Sequence, residues 1–223
     1  GSASIDYRHY FNTEDESAFS MRFGANFSRF SYDFDLFFRR SSSFFSIVYR
    51  NNDYLRDNKR HVLNVRTVSI DRDRDLSTAV DEPDFNVVNL QYGFSNKNLD
   101  RYITAFADYE VAQKFSKFSF TASYRKLFEN NRQVNLRFFG GLFLYNDTRD
   151  SDFFSFALDR PTDYLFDYNY YGRSEDSGAL SQQFIFAEGG FKSQLEPAFA
   201  NQWMTTVNAS TTIWNWIFAY GDA

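Results

Sequence analysis

The amino-acid sequence predicts an all-β fold: an antiparallel outer-membrane-type β-barrel, or barrel fragment, with about twelve strands in a single domain over residues 1–223. Aromatic residues are abundant, with 29 Phe, 15 Tyr and 3 Trp, yet the mean hydropathy is −0.52. The apolar residues are therefore interleaved with polar ones, as in half-buried strands. No run approaches the roughly 18 consecutive apolar residues of a membrane-spanning helix. Any membrane-crossing segment is thus expected to be a strand.

The clearest strand is Phe118 to Arg125, where every even position is apolar and every odd position is polar. Phe19 to Phe27 and Phe30 to Arg39 alternate in the same way, and the two-residue link Ser28-Arg29 predicts a hairpin between them. Weaker or shorter alternation predicts further strands over residues 5–11, 44–50, 62–71, 88–94, 103–109, 134–145, 184–192, 203–209 and 213–220.

The connections between these strands give a second signal, because outer-membrane barrels alternate short periplasmic turns with longer external loops. If residues 28–29 form a periplasmic turn, the short links 95–98, 126–132 and 193–200 fall on the same side. The long segments 72–85 and 146–182 then become external loops. Residues 51–60 would be an unusually long periplasmic turn, and residues 40–43 and 209–212 would be short external links.

The residues on the two faces favour a membrane barrel over a soluble β-sandwich. A soluble core favours Val, Ile and Leu in complementary sizes, whereas here one face is rich in Phe and Tyr and the other mixes charges with Ser, Thr, Asn and Gly. The candidate lumen-facing residues are Arg22, Asp33, Asp35, Arg39, Arg125 and Arg137. The candidate interfacial aromatic residues are Tyr109, Tyr124, Tyr145, Trp203, Trp214 and Trp216.

Catalytic and metal-binding motifs are not apparent. The two histidines, His9 and His61, do not belong to a His-Glu-x-x-His motif, there is no Cys, and no serine lies in a nucleophile elbow. We therefore predict no enzyme activity, catalytic residue, metal or cofactor for this chain.

The acidic runs 71–75 and 147–152 could offer oxygen ligands to calcium, but solvated loop charge is the favoured interpretation. The net charge of −5, with scattered Lys and Arg, argues against a nucleic-acid partner.

One loop region, residues 159–174, is dense in Tyr, Phe and Asp. A segment of this composition is expected to fold over or into a barrel rather than to be disordered. It is interpreted as a plug or surface-contact loop, and the alternative is an external loop that packs on its own aromatic residues. The residues assigned to it are Tyr164, Phe166, Tyr168, Tyr170, Tyr171 and Arg173.

The last third of the chain resembles the C-terminal region of large Bacteroidota proteins of the gluzincin-type, aminopeptidase-like metallopeptidase family. The resemblance is carried by residues 164–178 (YLFDYNYYGRSEDSG), 188–193 (EGGFKS) and 201–208 (NQWMTTVN), within residues 153–223. In that family the zinc motif lies in a separate N-terminal domain, and no position here matches it.

The resemblance implies a non-catalytic barrel in the bacterial outer membrane that anchors a peptidase domain of the same parent chain, with the lipid bilayer as its partner. Further strands are then expected after the turn-like end at residues 220–223. Two alternatives remain: a stand-alone porin or transport barrel for small solutes, and a soluble β-rich binding module.

Overall fold

The computed structural model describes residues 2–11, 19–33, 36–53, 57–72, 84–148, 152–159, 162–167, 187–191, 196–214 and 217–223. These residues form an antiparallel sheet of ten strands, a separate two-stranded sheet and a 3-10 turn at Asp152–Phe154. The predicted all-β antiparallel class is confirmed. The strands are β1 (Ser2–Tyr10), β2 (Phe19–Asp33), β3 (Leu36–Asp53), β4 (Asp57–Arg72), β5 (Phe85–Lys97), β6 (Arg101–Ala112), β7 (Phe115–Leu127), β8 (Gln133–Asn146), β9 (Phe156–Ala157), β10 (Phe199–Ala200), β11 (Trp203–Trp214) and β12 (Ile217–Asp222).

The ten-stranded sheet is an up-and-down meander with the order β1-β2-β3-β4-β5-β6-β7-β8-β11-β12. Its connections therefore alternate between two ends of the sheet. The short-turn end carries the links after β1, β3, β5, β7 and β11. The long-loop end carries the links after β2, β4, β6 and β8, including residues 73–84 and 147–202. In the described part of the chain β1 and β12 do not pair with each other, and the sheet is open.

The predicted hairpin at Ser28-Arg29 is wrong, because β2 runs without a break from Phe19 to Asp33. Ser28 pairs with Ser2 on β1 and with Arg40 on β3. The predicted link over residues 40–43 is wrong for the same reason, since it lies inside β3. Both segments interrupt the apolar alternation, but pairing with strands on either side outweighs this local signal.

Three further predicted segments are wrong. Residues 209–212 lie within β11, and the described part of the predicted strand 184–192, residues 187–191, is not a strand. Residues 193–200 are not a short turn, since they belong to the long connection between β8 and β11 and contain β10 of the small sheet. The long turn predicted at 51–60 shrinks, because β3 ends at Asp53 and β4 begins at Asp57. The link between β3 and β4 is thus shorter than the sequence predicts.

Candidate functional site

One face of the large sheet carries a row of exposed apolar side chains, with one residue from each of nine successive strands. Each is the direct cross-strand partner of the next: Tyr7, Phe23, Phe45, Val65, Leu90, Tyr109, Phe118, Leu142 and Trp203. Their exposed fractions run from 37% at Tyr109 to 66% at Trp203. A continuous apolar surface of this extent is a feature of interaction or membrane surfaces rather than of ordinary soluble surfaces.

This apolar surface extends along the strands as well as across them. On β6, Ile103, Ala105, Ala107, Tyr109 and Val111 share the face and lie between Arg101 and Gln113. Nine strand residues span about 30 Å. Strands tilted by about 40° from a bilayer normal, as in outer-membrane barrels, would cover about 23 Å along that normal. We call this surface, from the nine-residue row to its flanking rows, the apolar band. Along β6, its height is close to the ~25 Å apolar belt of outer-membrane barrels.

The opposite face, called here the polar face, is lined by hydrophilic side chains in register. One cross-strand row contains Arg22, Ser46, Asn64, Gln91, Asp108 and Ser119. The Gln91 amide donates to Asp108 at 2.8 Å, and the Arg22 guanidinium is ion-paired with Asp6. Alternation along each strand therefore separates an apolar surface from a charged one.

The parts of the chain between β8 and β11 that the structure describes lie over the polar face at the long-loop end. Its described parts, residues 152–159, 162–167 and 187–191, are called the covering segment. Phe154 is 1% exposed, and its ring centroid lies 5.2 Å from that of Phe85 and 4.8 Å from that of Phe115. The buried cluster around it comprises Val68, Ile70, Phe85, Val87, Phe115, Phe154, Tyr164 and Leu165. The covering segment is thus packed on the sheet as a hydrophobic core.

A buried lysine on β7 is one attachment point of this segment. The Lys117 side chain is 4% exposed and donates to the Phe154 carbonyl at 3.2 Å. Its ammonium lies 3.8 Å from a Glu110 oxygen and 4.0 Å from a Glu188 oxygen. It also lies 4.5 Å from the centre of the Tyr164 ring, and the rings of Phe115, Phe143 and Phe156 complete the cage. Paired carboxylates and aromatic faces together offset the cost of burying this charge.

Two arginines on adjacent strands form a second attachment. Arg40 of β3 donates to the Leu165 carbonyl at 2.7 Å and to one Asp167 oxygen at 2.5 Å. Arg66 of β4 donates to the other Asp167 oxygen at 2.6 Å. One carboxylate therefore bridges two strands, and charge-assisted bonds of this kind are stronger than neutral ones.

The third attachment holds the main chain of residues 188–190. Arg137 donates to the Glu188 carbonyl at 2.5 Å, the Thr206 hydroxyl to the Gly189 carbonyl at 3.0 Å, and the Tyr220 hydroxyl to the Gly190 carbonyl at 2.9 Å. These donors come from β8, β11 and β12. The three attachments therefore tie the covering segment to strands from β3 to β12.

The Glu188 carboxylate connects the covering segment with itself and with β7. One oxygen accepts the Ala157 amide at 2.8 Å, and the other faces Lys117. Although 34% of the side-chain surface is accessible, the surrounding protein desolvates the charge and raises the pKa of Glu188 above its usual range, while Lys117 opposes that rise. The lysine therefore keeps a poorly solvated carboxylate paired.

A glycine in this segment offers a test of the main-chain contacts. Gly190 has a φ of +72°, and a Cβ there would lie 2.5 Å from Arg137 Nη1 and 2.9 Å from Asn208 Oδ1. We expect Gly190→Ala to weaken docking of the covering segment by about 1–2 kcal/mol, the cost of a left-handed conformation for a residue with a side chain. The rate of proteolytic cleavage within the segment measures this. Gly221→Ala is the control, because a Cβ there meets nothing within 4 Å, and an equal rise in cleavage would contradict the proposed contact.

The sequence-predicted charged residues fall on both faces. Arg22, Arg125 and Arg137 lie on the polar face, in register with Ser46, Tyr102 and Asn208 respectively. Arg39 lies at the long-loop end of β3 on the face of Phe45, because the strand continues unbroken through residues 40–43. The side chain of Asp33 and all of Asp35 lie outside the described residues.

The predicted aromatic residues are placed as follows. Tyr109, Tyr145, Trp203 and Trp214 are exposed, Tyr124 is half-buried, and Trp216 lies outside the described residues. Of the residues assigned to the plug or surface loop, Tyr164 is buried and Phe166 packs on the same cluster, with its ring centroid 4.5 Å from that of Phe38. Tyr168, Tyr170, Tyr171 and Arg173 belong to the part that the structure leaves undescribed.

Sequence reasoning missed most of the residues that hold the covering segment, namely Arg40, Arg66, Glu110, Lys117, Asp167 and Glu188. Lys117 did leave a signal in the sequence. It occupies a polar position of the alternating strand β7, and Glu110 lies close to it in sequence, two residues before the end of β6. Its partners Glu110 and Glu188 are supplied by the neighbouring strand and by a segment far along the chain, so alternation alone does not reveal the cluster.

Within the described ranges, no helix is both long and apolar enough to cross a membrane. The same residues contain no group of three or more His, Cys, Asp or Glu side chains placed to hold a metal ion.

Comparison with known proteins adds no relative. No protein family, no curated protein and no solved structure matches the chain.

Proposed function

We propose that this chain forms the wall of a membrane-spanning antiparallel β-barrel in the bacterial outer membrane, with the apolar band facing lipid and the polar face lining the interior. The observation that carries the proposal is the exposed apolar row across nine strands, opposite a face that is charged and partly covered by the chain itself. Hydrocarbon is the environment in which such a surface is favourable rather than a liability.

Lipid fits this surface better than a protein partner does. The apolar band is bounded along β6 by Arg101 at one end and Gln113 at the other, so its height is limited on both sides. It also extends over nearly the whole width of the sheet, whereas a protein interface is a localised patch of about 800 Å² on each partner. An apolar belt across many strands, with polar limits along β6, is the pattern of a bilayer-facing wall.

Closure of the sheet is part of the proposal. In hydrocarbon, the unpaired backbone groups along the outer edges of β1 and β12 would each cost several kcal/mol. Those edges are therefore expected to pair with each other, with further strands, or with a second copy. The meander order of the ten strands suits closure, because each strand already pairs with its sequence neighbours.

The position of the covering segment favours a barrel that is closed or serves as an anchor, rather than an open pore. It occupies the polar face at the long-loop end, where Glu188 is ion-paired with Lys117 and Asp167 with Arg40 and Arg66. A route for solutes along that face would have to displace it. Anchoring of a peptidase domain remains the more specific proposal that the sequence resemblance supports, and the reading frame of the parent gene tests it through an upstream zinc motif.

The barrel is tested by refolding the chain into phosphatidylcholine vesicles. We expect heat-modifiable migration on SDS gels and protection of the strands from added protease, because closed barrels resist unfolding by SDS at low temperature. A soluble β-rich module would instead remain monomeric without detergent or lipid, and its strands would be cleaved equally with and without vesicles. That outcome would reject the membrane proposal. Swelling of the vesicles in small sugars would favour the porin alternative.

A further inference from the structure

At the short-turn end of the apolar band, two cations lie directly opposite each other. Arg101 begins β6 and is the cross-strand partner of Lys126 near the end of β7. Both share the face of Ile103 and Tyr124, the pair one step further into the band. Directly opposed like charges destabilise a sheet unless something neutralises them.

Nearby carboxylates of the described chain do not neutralise this pair. Asp100 and Glu129 lie in the adjoining turns, but the ion pairs of the described residues do not include either of them with Arg101 or Lys126. The Lys126 ammonium instead lies 5.3 Å from the centre of the Phe128 ring. Phe128 is 42% exposed and Leu99, in the preceding turn, is 95% exposed. Exposed apolar side chains of the two adjoining turns therefore lie next to the cations.

We infer that Arg101 and Lys126 form a binding site for the phosphate of an anionic phospholipid in the leaflet at the short-turn end. The site lies where the apolar band ends, which is the depth at which headgroup phosphates meet the acyl region. A lipid phosphate would neutralise both cations, its acyl chains would lie on the band next to Ile103, and Leu99 and Phe128 would contact the interface. This inference rests on the proposed membrane orientation.

The test uses the chain refolded into phosphatidylcholine vesicles that contain a trace of spin-labelled phosphatidylglycerol or spin-labelled phosphatidylcholine. We expect the motionally restricted fraction to be larger for phosphatidylglycerol by a factor of about five or more, since each basic group near an anionic headgroup contributes about fivefold. The double variant R101S/K126S is expected to lose this preference. One molar NaCl should also reduce it, because the charges are close to water.

The matched control is K97S/R125S, which removes the same charge from the opposite face. Lys97 and Arg125 are the cross-strand partners of Tyr102, one residue away from Arg101. This variant should keep the preference. If K97S/R125S loses as much of the preference for phosphatidylglycerol as R101S/K126S does, a lipid site on the band is refuted. The site is also refuted if inorganic phosphate, added at equal ionic strength, abolishes that preference.

The two proposals fail in different ways. If the chain does not insert into vesicles, both the barrel and the lipid site are rejected. If it inserts, shows heat-modifiable migration and restricts the two spin-labelled lipids equally, only the lipid site is rejected.

Discussion

Replacing Leu63 by arginine is expected to destabilise the vesicle-inserted protein by about 2–4 kcal/mol, the cost of arginine on the lipid face near the middle of a barrel wall. Leu63 is 40% exposed and is flanked across the sheet by Ile47 and Tyr92, both on the apolar band. In water, a substitution at such an exposed position would change stability by less than about 0.5 kcal/mol. Chemical unfolding of the protein in vesicles measures the difference.

The neighbouring substitution Asn64→Arg provides the control. Asn64 is adjacent in sequence but lies on the polar face, in register with Ser46 and Gln91. It should therefore accept arginine with little loss of stability. An equal loss of stability for Leu63→Arg and Asn64→Arg would mean that the two faces of the sheet lie in similar surroundings. That result would contradict the membrane proposal.

Replacing Lys117 by methionine is expected to release the covering segment. Methionine approximately fills the same space and retains contact with the aromatic cage, but Glu110 and Glu188 lose their cation. Breaking a buried ion pair by removing one partner typically costs about 3–5 kcal/mol. Cleavage of the covering segment by added protease should then accelerate by a factor on the order of 10²–10⁴, provided that cleavage reports local opening.

Two further variants separate the charge effect from the packing effect. Lys97→Met removes an exposed lysine from the same face and should leave cleavage unchanged. Adding Glu110→Gln and Glu188→Gln to the Lys117→Met protein should restore most of the protection, because the unpaired carboxylates are then gone. If Lys117→Met is cleaved at the native rate, the lysine does not hold the segment.

Much of the fold could be predicted from the sequence, because alternation is a local property. Phe118 to Arg125, for example, alternates strictly and lies within β7. Two of the errors, at residues 40–43 and 209–212, arose where small polar residues break the pattern. Ser41, Ser42 and Ser43 resemble a loop, yet each pairs with β2 on one side and β4 on the other, and a serine fits a paired strand at little cost.

The arrangement on the polar face could not be predicted in this way, since it depends on contacts between distant parts of the chain. Arg40 and Asp167 are 127 residues apart, and Lys117 meets Glu188 from a different segment. The aromatic composition of residues 159–174 indicated a segment that folds onto the protein, but which strand residues receive it depends on the register of the whole sheet.

The attachments of the covering segment have a consequence for how freely its sequence can change. Five of its backbone carbonyls, those of Phe154, Leu165, Glu188, Gly189 and Gly190, accept hydrogen bonds from strand side chains. Recognition through the main chain places few demands on side-chain identity. Homologous proteins are therefore expected to keep the path of this segment while sharing few of its residues. Its attachment is better traced through Lys117, Arg40 and Arg137 on the strands than through a motif in the segment itself.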